Sequence, residues 1–100
     1  MMTVVTTSVL KEGAEPEWDS AMRDRLKAAE GQDGWVSGQL LVPLDGLNER
    51  VIIGTWDTRA DWEAWHEAPE FAETRKRLDG LQKTSAETVW HEVVVDAHAG

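Results

Sequence analysis

The sequence predicts an α+β domain on the split βαβ plan of ferredoxin-like folds, an antiparallel sheet with its helices on one face. Three observations carry that expectation. Extended β-branched runs and helix-period runs follow one another as strand, helix, strand, strand, helix, strand. The 100 residues contain no repeat, linker or low-complexity stretch, so a single domain suffices. Finally, Leu40-Leu41-Val42, Val51-Ile52-Ile53 and Val93-Val94-Val95 are apolar on both sides of their strands. Helices can cover one sheet face only, and a second copy of the chain is the simplest cover for the other.

The elements justify themselves in order. Thr3 to Leu10 is rich in β-branched residues and ends at Lys11-Glu12-Gly13, a strand closed by a turn. From Ala14 a 3.6-residue pattern takes over, with Pro16 in the first turn, Trp18, Met22, Leu26 and Ala29 on one face, and Gly31 as the stop. After the turn Gly31 to Gly34, Trp35 to Leu44 runs apolar and extended. A short loop at Asp45-Gly46 leads into a second extended run ending at Trp56, which predicts a hairpin. Thr58 and Asp61 form a capping-box pattern, with Asp in place of the usual Glu, ahead of a helix over residues 59–68. Pro69 interrupts that helix, a second helical piece runs to Gly80, and the last strand is placed from Glu87 to Val95. The domain is therefore expected to span residues 3–96, with 97–100 as a frayed tail.

Composition excludes several function classes. There is no cysteine, hence no disulfide, thiolate nucleophile or zinc–thiolate site. A formal charge of −9 repels phosphate backbones and anionic membrane surfaces, so neither nucleic acid nor membrane is an expected partner. No segment has the length of an apolar membrane span, and the N-terminus lacks a basic start followed by an apolar block. A cytoplasmic location is the expectation. Phosphate-binding glycine loops and a nucleophile elbow are absent, which disfavours ATP, NAD, flavin and serine-hydrolase chemistry.

The candidate site residues are mostly aromatic. Six tryptophans are heavy for a core this small. Trp62 and Trp65 lie about 60° apart on a helix and His66 follows Trp62 by one turn, so the three share a side. With Trp56 and with Phe71 of the second helical piece they are read as walls for a planar ligand, since indole offers a broad π face with one N–H donor. Core packing is the alternative reading of the same stripe. The histidines show no metal-ligand spacing, and His91, between Trp90 and Glu92, is read as a proton acceptor. Arg75, in the basic run ending at Arg77, is read either as solvated or as turned inward to hold a phenolate or carbonyl oxygen.

The first strand, the Gly34-Trp35 start of the second, the segment Thr55 to Arg75 and the valine-rich last strand together resemble the antibiotic biosynthesis monooxygenase family. The resemblance covers about Val4 to Val95, and its most specific part is Trp56-Asp57-Thr58 followed by Asp61, Trp62, Trp65 and Pro69. It implies a homodimer whose sheets form a shared α+β barrel. It also implies a choice of chemistries: cofactor-independent anthrone oxygenation, quinol oxidation or haem degradation. In the haem-degrading branch Trp65 matches the working tryptophan, while Ser8 stands at the asparagine position and Thr74 at that of the histidine. In the anthrone-oxygenase branch Trp56 and Arg75 match, the latter within a shared P-x-x-A-E-x-R run, and Trp62 replaces a tyrosine. Ser8 and Ile52 stand where that branch has asparagine.

The function expected from this reading is oxidation of an electron-rich aromatic, anthrone- or quinol-like, by O2 without a cofactor. Trp56, Trp62 and Trp65 would wall the substrate, Arg75 would stabilise its enolate, and Ser8 or His91 would bond it or accept its proton. A dimeric protein that binds an aromatic ligand without turnover is the first alternative, and haem binding the second.

Overall fold

A computed structural model describes every residue from Met1 to Gly100. Its elements are β1 (Met2–Val9), α1 (Glu15–Ala29), β2 (Trp35–Leu41), β3 (Glu49–Trp56), α2 (Arg59–His66), α3 (Pro69–Leu78) and β4 (Glu87–Glu92). The four strands form one antiparallel sheet in the order β2-β3-β1-β4, the ferredoxin-like arrangement.

Strand alternation sorts the side chains. Val4, Gly54 and Trp90 share one register line across β1, β3 and β4, and Met2 and Trp56 another. These positions face the helices, where Met2, Val4, Ala29, Trp56, Trp65 and Phe71 form one buried cluster. Leu10, Trp18, Ala21, Met22 and Leu78 form a second at the other end of α1. Val5, Leu41, Val51, Ile53 and Val89 point the other way, and no helix lies over them. Two of the doubly apolar runs thus divide as expected, with Leu40 and Ile52 packed against the helix-side core and Leu41, Val51 and Ile53 on the side that no helix covers.

Local signals set the element ends. Pro16 lies in the first turn of α1 and Pro69 opens α3. Ala68, ahead of Pro69, is held extended at φ −71°, ψ 145°, so the helical stretch breaks into α2 and α3 at that point. At the start of α2 the Thr58 hydroxyl accepts from the Asp61 N–H (3.1 Å) and donates to the Asp61 carboxylate (2.9 Å). A glutamate in a capping box would reach the backbone N–H instead; the shorter aspartate binds the hydroxyl. That carboxylate fills the space beside Gly34, which has φ +83° and where an added Cβ would overlap Asp61. Gly34→Ala is expected to combine left-handed strain with loss of this cap and to destabilise the fold by about 2 kcal/mol, read from urea unfolding. A change below about 0.5 kcal/mol would show that the cap does not depend on the glycine.

Two sequence expectations need correction. The β2–β3 connection is not a short loop at Asp45-Gly46 but runs from Val42 to Asn48, because pairing of the two strands starts only at Leu41↔Val51. The last strand ends at Glu92, not Val95: β1, its only neighbour in the sheet, begins at Met2 and offers one more acceptor, the Met1 carbonyl, to Val93 N–H. Val94 and Val95 are left 87% and 80% exposed.

Candidate functional site

Between the helix-facing side of the sheet and the three helices lies a half-open cavity of about 440 Å3. Its floor is Val4, Thr6, Ile52 and Gly54, none of them large or charged. Trp35 leans over two cross-strand glycines to form one wall. A Cβ on Gly38 would overlap the Trp35 indole, and at Gly54 it would lie 3.8 Å from that ring and 3.6 Å from Trp56 Nε1. A bulge at Val36 separates Trp35 from the regular register.

Trp56, at the end of β3, stands edge-on to Trp35 with ring centroids 5.1 Å apart, and Trp65 of α2 lies 6.4 Å beyond it. Trp56 and Trp65 are buried yet line the cavity, so they serve both core and wall. Trp62 is half-buried and completes the wall, with Trp90 of β4 packed edge-on behind it at 5.3 Å and Arg59 over the Trp90 ring. For Trp56 and Trp65 core and pocket are the same place, because the buried cluster they belong to forms the cavity wall.

Phe71 organises the polar part of the site. His66 lies 4.1 Å from it between ring centroids, the Arg25 guanidinium 3.9 Å from its centroid and the Arg75 guanidinium 5.1 Å. Arg25 Nε donates to Thr74 Oγ1 (2.8 Å), whose hydroxyl donates to the Phe71 carbonyl (3.0 Å). Neither guanidinium has a carboxylate partner, since the ion pairs of the chain join Arg50 to Asp19, Arg59 to Glu63, Arg77 to Asp24 and His98 to Asp96. Burial first, and then the charge of Arg75, lowers the Arg25 pKa to about 10. His66 is held below its ordinary value of 6.5, mainly by burial and then by the two arginines, against the opposing effect of its bond to the Trp62 carbonyl.

Six of the sequence-derived site residues, Trp56, Trp62, Trp65, His66, Phe71 and Arg75, line this one cavity. Ser8 and His91 do not. Ser8 faces the helices but lies at the far end of β1, opposite Arg50 in register and buried beside the Arg50–Asp19 pair rather than open to the cavity. His91 is paired with Thr3, on the opposite sheet face, where its Nδ1 lies 3.3 Å from the Thr3 carbonyl. Strand parity decides this: Trp90 faces the helices, so His91 faces away. Among the lining residues that the sequence reading did not single out as site candidates are Trp35 and Arg25. The signal for Arg25 was its spacing, since positions 18, 22, 25 and 29 form one helical stripe, with arginine where the apolar pattern was continued through Leu26.

Fold and cavity together define a ferredoxin-like domain with an aromatic, cation-bearing pocket beneath its helices, and comparison with known proteins agrees on the fold. The family model for antibiotic biosynthesis monooxygenase matches residues 1–77, and the chain belongs to that family. A Mycobacterium tuberculosis protein named haem oxygenase (mycobilin-producing) is 29% identical over 84 residues, covering 84% of this chain and 80% of that protein. Among solved structures, a Nitrosomonas europaea protein assigned as an antibiotic biosynthesis monooxygenase superposes with TM-score 0.90 at 16% identity, over 95% of this chain and 100% of that one. SnoaB, a cofactor-independent oxygenase from Streptomyces nogalater, superposes with TM-score 0.84 at 22% identity, over 95% and 94% of the two chains.

Proposed function

We propose that this chain is a cofactor-independent monooxygenase that oxidises an electron-rich aromatic, anthrone- or quinol-like, with O2. The observation that carries the reading is the cavity itself: four indoles walling a space of about 440 Å3, with two guanidiniums that have no counter-ion. Flat apolar walls suit a fused ring, and unpaired cations suit the negative charge that such a ring acquires when it ionises. An ionised phenol or anthrone can itself supply the electrons that reduce O2. The protein's part is then to bind the ring, favour its anion and keep water from the intermediate. The fold shared with SnoaB is compatible with this reading. A second copy of the chain on the bare face of Val5, Leu41, Val51, Ile53 and Val89 would complete the homodimeric barrel.

A second reading, haem binding, is favoured by the 29% identical relative of that name. The residues fit it through one side chain. Thr74, at the position of the histidine in the haem-degrading branch, spends its hydroxyl on Arg25 and Phe71, whereas His66 Nε2 has no protein partner and is a donor an iron could accept. Bound haem would supply the oxygen-activating chemistry, with Arg25 and Arg75 placed for its carboxylates.

The readings separate experimentally. Tryptophan emission is titrated with an anthrone, a naphthoquinol and haem, and oxygen consumption is then recorded with whatever quenches. Saturable quenching by anthrone or quinol with oxygen uptake is the expected result. Quenching without uptake would point to a binding protein, and a Soret band with no uptake from quinols would favour haem.

A further inference from the structure

His66 is the one imidazole on the cavity wall, and its hydrogen bonding leaves one nitrogen available there. The Trp62 carbonyl oxygen can only accept, so the Nδ1 atom 3.0 Å from it carries the ring proton. Nε2 therefore holds a lone pair, and no protein group bonds it. Trp62 and Phe71 flank the imidazole at 3.9 and 4.1 Å between centroids and restrict its rotation. The same phenyl ring carries the Arg25 and Arg75 guanidiniums at 3.9 and 5.1 Å. A hydrogen-bond acceptor and two unpaired cations thus surround one ring on the cavity wall.

We infer that His66 is the proton acceptor of this cavity, that its Nε2 takes the proton of an aromatic hydroxyl, and that Arg25 together with Arg75 holds the oxygen anion left behind. The inference rests on the cavity being a site for an electron-rich aromatic, and it narrows that class to rings with an ionisable hydroxyl, phenols and enolised anthrones. In the step the substrate O–H bond breaks, an Nε2–H bond forms and the bonding pair stays on the substrate oxygen. No oxidant takes part.

The charge arrangement makes the transfer conditional on the ligand. Facing His66 are Arg25 from α1 and Arg75 from α3; the sheet floor offers no titratable group, and Asp79, the one carboxylate lining the cavity, pairs with neither arginine. In the empty site burial and the two cations keep His66 neutral at pH 7, ready to accept. Those cations also lower the ionisation pH of a hydroxyl placed between them, by about 1–3 pH units for an opposite charge at contact range. Once the anion is present its charge offsets theirs, and the imidazolium becomes tolerable. His66 should therefore titrate below 6.5 in the free protein and well above it in the complex. Arg25 is the new element in this set: Thr74 holds its Nε, its guanidinium lies over the Phe71 ring, and it has no carboxylate partner.

The probe is 1,8-dihydroxyanthraquinone, which already has the quinone oxidation level and changes from yellow to red when a hydroxyl ionises. It is bound to wild-type protein, His66→Gln and Arg25→Met at pH 7.5, with visible absorption and histidine proton NMR recorded together. The expected result is a red complex in the wild type, with the His66 resonance, assigned by its loss in His66→Gln, moved to the imidazolium position. In His66→Gln the dye should bind with comparable affinity and stay yellow. In Arg25→Met its ionisation should move up by about 1 pH unit or more. Equal reddening in wild type and His66→Gln, a His66 resonance that stays neutral, or no binding of the dye to the wild type would each overturn the assignment. Reddening and histidine protonation without any oxygen uptake from an anthrone would instead remove the oxygenase reading and leave the proton acceptor standing.

Discussion

Replacing Arg75 by alanine is expected to lower turnover of an anthrone or quinol about 10²–10³-fold, the loss seen when one preorganised stabiliser of a developing oxyanion is removed. Folding should hardly notice. Arg75 is exposed at the cavity rim and has no ion pair, and its contact with Phe71, at 5.1 Å, is of the kind worth about 0.5–1 kcal/mol. Its removal also relieves repulsion on Arg25, whose pKa it helps to depress, so the two effects on stability oppose one another. Arg75→Lys separates charge from geometry: partial recovery of the rate would assign the role to charge, and none to the planar fork of the guanidinium. The check is initial oxygen-uptake rate against thermal midpoint for all three proteins. A parallel loss of rate and stability in Arg75→Ala would remove Arg75 from the chemistry.

The largest expected effect on stability lies away from the cavity. Arg50 on β3 is 4% exposed, and its guanidinium bonds both carboxylate oxygens of Asp19 on α1, Nε at 2.8 Å and Nη2 at 3.0 Å. Nη1 donates to the Leu47 and Glu49 carbonyls at 2.7 and 2.9 Å. The hydrogen bond to Asp19 is also the main reason the Arg50 pKa rises. Asp19→Ala leaves that charge buried with carbonyl partners only, which is expected to cost about 3 kcal/mol. Against the 5–15 kcal/mol typical of a whole domain this is a large share, and it corresponds to a fall in Tm of about 12 °C or more. The double replacement Asp19→Leu with Arg50→Met should recover most of the loss, because an apolar pair of similar volume avoids both the desolvation and the orphaned charge. Differential scanning calorimetry on the parent protein and the two variants decides it. If Asp19→Ala melts within about 2 °C of the parent protein, the pair contributes nothing to holding α1 on the sheet.

Much of the site was legible because its residues belong to local patterns. The Thr58 cap, the Trp62–Trp65–His66 spacing and the break at Pro69 each depend on neighbours within one or two helical turns, and each appears in the structure where the sequence puts it. Arg75 follows in the next helix at a spacing that the family resemblance marks. Ser8 and His91 lie away from the cavity for a different reason. Both lie on strands, and the side that a strand residue faces depends on its register with a partner far away in the chain, Arg50 for one and Thr3 for the other. Arg25 was missed because a charged residue on an amphipathic helix reads as solvent-facing unless something distant covers it. Here that cover is α3, which brings Phe71 and Thr74 over the arginine.

By itself the sequence determined the order of elements, their capping and breaking, the absence of thiol chemistry and the concentration of indoles after β3, all of which are local or compositional properties. It also required that one sheet face remain apolar and uncovered by helices, since alternation along a strand needs no partner to be read. Only the tertiary structure decided which polar groups meet. Two guanidiniums without counter-ions and one imidazole with a free nitrogen come together round Phe71 because α1, α2 and α3 close over the same end of the sheet, contacts between residues up to fifty positions apart. Such meetings follow from packing, where the burial of Trp56, Trp65 and Phe71 dominates, and the charged groups are carried to their places by the apolar surface that must be buried beside them.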